Sequence, residues 1–184
     1  MKLLFILLLL LQSYTRPDLE SVKLRSIDGE FCYIENNKKL KATILFFVTP
    51  ECPLCQSYSL NIKQLANRYQ KKGYRFIAII PGKTISPAQV IKYKSVYNLQ
   101  SITFYFDPSF ELVHLLKATV TPQVFVLDQT GNLLYNGQID NWIYELGKKR
   151  KVITEHNLEK ILSDIDQNRK IIFQKTKVLG CFIE

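Results

Sequence analysis

The feature that most constrains this chain is a change of hydrophobic period at one point. Thr43-Ile44-Leu45-Phe46-Phe47-Val48 is a continuous apolar run of strand length, the pattern of a strand buried on both faces. It stops at Thr49-Pro50-Glu51. Directly afterwards Leu54, Tyr58, Ile62, Leu65 and Tyr69 recur at helical spacing and draw one apolar stripe. Cys52-Pro53-Leu54-Cys55 occupies the handover from strand to helix.

The rest of the chain repeats this alternation, with no linker or low-complexity stretch from Val22 onward. Val22 to Ile27, the Asp28-Gly29 turn and Glu30 to Ile34 read as an N-terminal hairpin. Gly73 closes the first helix, and Arg75 to Ile80 is the next strand. Ser86-Pro87-Ala88-Gln89 has a capping-box start for a helix to about Tyr97. Ile102 to Phe106 is a further core strand. Asp107-Pro108 is expected to open a short helix to about Lys117. After Pro122, Val124 to Leu127 and Leu133 to Tyr135 flank a Gln129-Thr130-Gly131-Asn132 turn. Gly137 to Ile153 reads as irregular, and a last helix begins near Thr154 with Leu158, Ile161, Leu162 and Ile165 on its core face. This order predicts an α/β sandwich with a central, partly parallel sheet. At 184 residues the chain can bury one sizeable core without disulfide support, so each of its four cysteines needs its own explanation.

Met1-Lys2, the apolar run Leu3 to Leu11 and the polar Gln12 to Pro17 have the layout of a secretory signal peptide. Nine apolar residues are too few for a bilayer core that needs roughly 20. The expected organisation is a leader at 1–14, one domain at 15–169 and a tail at 170–184 carrying Cys181. The expected location is extracytoplasmic, secreted or periplasmic, where disulfides persist, with no stable membrane span after cleavage. Loss of Lys2 moves the formal charge from +9 to +8. The positive residues are scattered apart from Lys148-Lys149-Arg150-Lys151, without the aromatic interleaving of a nucleic-acid groove, so solvated surface and no nucleic-acid partner are expected.

Position gives the cysteine pair its meaning. At a helix start the unpaired N–H groups and the positive dipole end favour a thiolate, so Cys52 should ionise more readily than a free cysteine. Cys55, one turn further in and more shielded, can displace a mixed disulfide on Cys52. A zinc half-site would need a second ligand pair. The remaining His114, His156, Cys32 and Cys181 have no paired metal-ligand spacing, so no metal is expected.

From about Val22 to Ile165 the chain resembles the thioredoxin-like superfamily. The stretch Phe46 to Ala66 is similar to that family's strand, Cys-Pro-x-Cys and helix, and Thr121-Pro122 before Val124-Phe125-Val126-Leu127-Asp128 resembles its cis-proline loop. Sixty-seven positions separate Cys55 from Pro122. That excess over a minimal thioredoxin matches the extra strand-helix unit, Arg75 to Tyr97, of the redoxin (AhpC/TSA, TlpA-like) branch. Thr121 to Asp128, Tyr135 to Asp140 and Gly180-Cys181 resemble secreted redoxin-domain proteins. The resemblance implies a three-layer α/β/α sandwich and a thiol:disulfide oxidoreductase acting on protein thiols and disulfides with a redox partner protein. It needs no cofactor. Cys52 would attack, Cys55 resolve, and Thr121 and Pro122 hold the substrate chain. Two departures stand out: Phe46 and Tyr58 occupy positions where relatives carry a carboxylate, leaving Glu51 as the only nearby one in sequence.

Two other functions fit parts of the pattern. Thr49, three residues before Cys52, matches part of a peroxiredoxin site, although Leu45 stands at its proline position. A copper-carrying redoxin would place one more residue between its cysteines. For Cys181 two roles compete: a third redox thiol that meets the active-site pair, or a disulfide with Cys32 tying the tail to the N-terminal hairpin. An unreactive buried thiol is the alternative for Cys32.

Overall fold

The computed structural model describes residues 18–184. The leader expected at 1–14 lies outside the described residues. β1 (Leu24–Ser26) and β2 (Phe31–Cys32) form the N-terminal hairpin, shorter than its sequence pattern, with Leu24 opposite Cys32. β3 (Ala42–Phe47) leads into α1 (Pro53–Tyr69). There follow β4 (Tyr74–Pro81), α2 (Pro87–Val96), β5 (Thr103–Asp107), α3 (Glu111–Leu116), β6 (Val120–Thr121), β7 (Gln123–Asp128) and β8 (Leu133–Gly137). The last part holds β9 (Ile143–Glu145), β10 (Lys148–Lys149), α4 (Asn157–Asp166), β11 (Gln174–Lys175) and β12 (Cys181–Phe182).

The main sheet runs β11-β8-β7-β3-β4-β5-β1-β2, with β3, β4 and β5 parallel and β7 antiparallel to β3. Alternation along the central strands sends successive side chains to opposite faces. Ile44, Phe46, Phe76, Ala78, Val124 and Val126 pack under α1, α2 and α4, whereas Leu45, Phe47, Ile77, Ile79, Phe125 and Leu127 pack against α3 and the N-terminal segment. The result is a three-layer α/β/α sandwich. All five residues of the stripe on α1 are buried. Gly73, at φ 88°, stops the 3₁₀ turn that extends this helix, a conformation costly for a side chain with a Cβ. Ser86 and Gln89 form both halves of the capping box on α2.

Three local expectations are corrected. α3 begins at Glu111 rather than beside Pro108, because the Asp107 carboxylate reaches forward to accept from the Val113 N–H at 2.9 Å, and Phe110 enters the helix with φ 58°. The stretch expected to be irregular contains the β9-β10 hairpin, where Lys149 lies 4.6 Å from the Trp142 ring and Arg150 5.1 Å from that of Tyr144, so the basic cluster does interleave with aromatics. α4 starts at Asn157, three residues after Thr154.

The tail is part of the sheet system. β11 adds in parallel to β8, and the Thr176 hydroxyl meets Tyr135 Oη at 2.7 Å and accepts from the Gln138 N–H at 3.0 Å. β12 then pairs antiparallel with β6. Among the described residues no helix is long and apolar enough to cross a membrane.

The turn between β7 and β8 is held by Asp128, whose carboxylate accepts from the backbone and side chains of Thr130 and Asn132 at 2.7–2.9 Å. Burial raises its pKa, but these hydrogen bonds outweigh it and leave the carboxyl below its ordinary value. A depressed carboxyl stabilises the fold above its unfolded pKa, and that contribution is lost as pH falls through the folded value. Asp128→Ala should cost about 1–3 kcal/mol at pH 7. In urea melts the difference from the parent should shrink as pH falls below about 4.

Candidate active site

Register puts the ends of β3 and β7 together. Phe47 lies opposite Gln123, so the chain leaving β3 towards Cys52 runs beside the Thr121-Pro122 turn that enters β7. The Thr121–Pro122 peptide is cis, and both residues are buried. Cys52 is the N-cap residue of α1 and Pro53 its first helical residue, a position where the absent N–H loses no intrahelical bond. Cys52 Sγ sits 3.2 Å from the Thr121 carbonyl oxygen.

Cys52 is joined by a disulfide to Cys181, with the Cα atoms 6.2 Å apart. Cys55 carries a free thiol and is wholly buried. Burial pushes this thiol up to about 12, against the opposing effect of hydrogen bonds from the Thr49 backbone and the Thr121 side chain. Its backbone is clamped as well: Ser59 Oγ donates to the Cys55 carbonyl at 2.8 Å, and Tyr93 Oη approaches the same oxygen at 3.1 Å. Ser59 Oγ and Tyr93 Oη also meet each other at 2.6 Å.

Cys52, Cys55, Thr49, Thr121, Pro122 and Cys181 thus converge. The Thr49 hydroxyl faces that of Thr121 at 3.5 Å. Glu51 turns away: it is exposed, makes no cap on α1, and accepts from Gln89 Nε2 at 3.0 Å. The expected alternative of a Cys32–Cys181 bridge is corrected, because Cys181 is bonded to Cys52. Cys32 stays free and half-buried on β2, where burial raises its pKa. His114 and His156 are both exposed, and no group of three or more His, Cys, Asp or Glu side chains among the described residues could hold a metal ion.

Other supporting residues escaped the sequence reading. Tyr58 donates through its hydroxyl to Asp140 Oδ1 at 2.9 Å and accepts from the Ile143 N–H at 3.3 Å, so a buried carboxylate does lie beside the position where relatives carry one. Burial, with the Asp140 charge, raises the Tyr58 pKa. The clue was an aromatic hydroxyl on the buried stripe of α1, which needs a polar partner. Gln123, fully buried behind Pro122, accepts from the Thr119 N–H at 2.9 Å and donates to Asn136 Oδ1 at 2.6 Å, pinning the loop to β8.

A redoxin family profile matches residues 19–157. The chain belongs to the redoxin family. This redoxin has the fold of a hypothetical protein from Sinorhizobium meliloti, at TM-score 0.75 and 20% identity over 88% of each chain. An uncharacterized conserved protein from Geobacillus kaustophilus aligns at TM-score 0.73 and 23% identity, over 88% of this chain and 87% of that one. A secreted Mycobacterium tuberculosis disulfide oxidoreductase homologous to E. coli DsbE aligns at 0.52 and 15% identity, over 79% and 94%. No curated protein matches the sequence.

Removing the Gln123 side-chain amide leaves Asn136 and the Thr119 N–H without their buried partner. Gln123→Ala should cost about 1–3 kcal/mol in denaturant unfolding. Amide hydrogen exchange should speed up locally at residues 119–121, whereas unchanged exchange there would show that the loop does not depend on this anchor.

Proposed function

We propose that this redoxin is an extracytoplasmic thiol:disulfide oxidoreductase that exchanges disulfides with polypeptide substrates through Cys52-Pro53-Leu54-Cys55. The observation that carries this reading is a disulfide-bonded Cys52 at the N-terminus of a 17-residue helix, against the cis Thr121–Pro122 turn. The thioredoxin-like neighbour described as a secreted disulfide oxidoreductase supports it, as does the leader-like start of the sequence.

In the reducing direction, the Cys52 thiolate attacks one sulfur of a substrate disulfide. A Cys52–substrate bond forms, and the other substrate sulfur leaves as a thiolate and takes a proton. The helix N-terminus stabilises the attacking thiolate. Thr121 and Pro122 hold the substrate backbone next to Cys52. Cys55 then loses its proton and attacks Cys52 Sγ, closing Cys52–Cys55 and releasing the second substrate thiol. Both electrons come from the two cysteines, so no prosthetic group takes part. The run in the other direction oxidises a substrate dithiol.

Cys52→Ser should lower dithiothreitol-coupled insulin reduction to the background rate. Cys55→Ser combined with Cys181→Ser, which leaves no neighbouring thiol to resolve it, should accumulate a mixed disulfide between Cys52 and the substrate, visible by intact mass. Full activity in Cys52→Ser, or peroxide turnover without insulin reduction, would contradict the assignment.

Resolution also has a pH signature. Only the Cys55 thiolate attacks, and with this group held at about 12 its ionised fraction grows about tenfold per pH unit across the neutral range. The rate at which Cys55 displaces a preformed Cys52 mixed disulfide should therefore climb from pH 6 to 9 without levelling. A plateau below pH 8 would mean that the thiol is not held high during this step.

A further inference from the structure

The tail lies along the edge where an incoming polypeptide is expected. Cys181 stands opposite Thr121 and Phe182 opposite Val120 in antiparallel register, and the Ile183 N–H donates to the Thr119 carbonyl at 3.1 Å. This is strand addition to an exposed edge, a common way of binding an extended peptide. Gly180 permits it. A Cβ there would fall 2.5 Å from the Thr121 carbonyl oxygen and 2.9 Å from Val120 Cβ, so any larger residue would push the strand off its template. Upstream, the Thr176 contacts and the β11-β8 pairing hold the tail root five residues from β12, which keeps the Gly180-Cys181 segment near the edge.

Resting on the oxidoreductase reading above, we propose that Gly180–Glu184 is a built-in substrate strand. Cys181 is a third redox thiol that exchanges with Cys52, and the oxidised protein rests with this strand in the place of the incoming chain.

The exchange balances within the protein. From a Cys52–Cys55 disulfide, the Cys181 thiolate attacks Cys52 Sγ. The Cys52–Cys181 bond forms, the Cys52–Cys55 bond breaks, and Cys55 leaves as a thiolate that takes up the proton given off by Cys181. One disulfide and one thiol are present before and after, so neither oxidant nor reductant is consumed. Burial of Cys55, which favours its protonated form, pulls this exchange towards the tail bridge. A tethered strand also competes at an effective concentration of about millimolar.

Opening requires an external dithiol, and the bridge offers it one accessible side. Cys181 is half-buried, whereas Cys52 is buried. A donor thiolate attacks Cys181 Sγ, Cys52 leaves as a thiolate, and the donor's second thiol resolves the donor–Cys181 bond. Two electrons pass from the donor, which ends as a disulfide, to Cys52 and Cys181. The strand can then give way to substrate.

The test compares the parent, Gly180→Ala and Cys181→Ser proteins. Each is oxidised with oxidised dithiothreitol, alkylated and mapped by peptide mass spectrometry without reduction, then assayed for dithiothreitol-coupled insulin reduction. The parent should map mainly as Cys52–Cys181 and Gly180→Ala mainly as Cys52–Cys55. Gly180→Ala should show a severalfold lower KM for insulin with little change in kcat, since only competition for the edge has been removed, whereas Cys181→Ser is the mapping control that can close only Cys52–Cys55 of the two bridges. A parent that maps as Cys52–Cys55, or a Gly180→Ala protein that keeps the parent's KM, would overturn the proposal. The map requires no turnover, so the tail can fail while insulin reduction survives. Absence of insulin reduction from all three proteins would refute the oxidoreductase reading and reduce the bridge to a structural cross-link, which also overturns the proposal.

Discussion

The site depends on one constraint, the antiparallel register of β3 against β7. β3 is buried along its whole length between β4 and β7, and its alternating side chains serve two different apolar layers. Shifting that pairing by one residue would turn Phe46 and Phe47 to the wrong faces, so register is fixed by packing on both sides at once. The fixed pairing sets Phe47 opposite Gln123, which delivers Cys52 to the Thr121-Pro122 turn although 69 positions of sequence separate Cys52 from Thr121.

Two cysteines three residues apart then acquire opposite environments. Cys52 caps a helix whose free N–H groups and dipole favour negative charge. Cys55 is sealed inside, its backbone oxygen held by Ser59 and Tyr93, and its thiol favours the proton. The proposed division between an attacking and a resolving thiol follows from depth along one helical turn. The same geometry explains how the tail can engage: β6 offers Thr121 as a strand template directly beside Cys52, and Gly180 allows the backbone close enough to use it.

Much of this was legible in the residues because it is local. The apolar stripe of α1, the Ser86–Gln89 capping box and the turn chemistry around Asp128 depend on neighbours a few positions away. The Cys-Pro-x-Cys at the strand-helix junction and the Thr121-Pro122 pair were visible for the same reason. What escaped is set by distant contacts. β12 has two residues, one half-buried and one exposed, with no periodicity to mark it, and it exists because β6 is there to receive it. The Tyr58–Asp140 bond joins residues 82 apart, and the late start of α3 follows from Asp107 reaching six residues forward. Gly180 carried a readable clue, a residue without a side chain beside a cysteine, but its meaning required the Thr121 carbonyl opposite it.

The central claim is that position at the helix start, rather than cysteine spacing alone, makes Cys52 the reactive thiol. Site-resolved alkylation tests it most directly: the fully reduced protein is pulsed with iodoacetamide at pH 7, and each cysteine is followed by peptide mass spectrometry. The account predicts that Cys52 is labelled far faster than Cys55, which stays unmodified until the protein is unfolded. Equal labelling of the two, or labelling of Cys55 first, would contradict it.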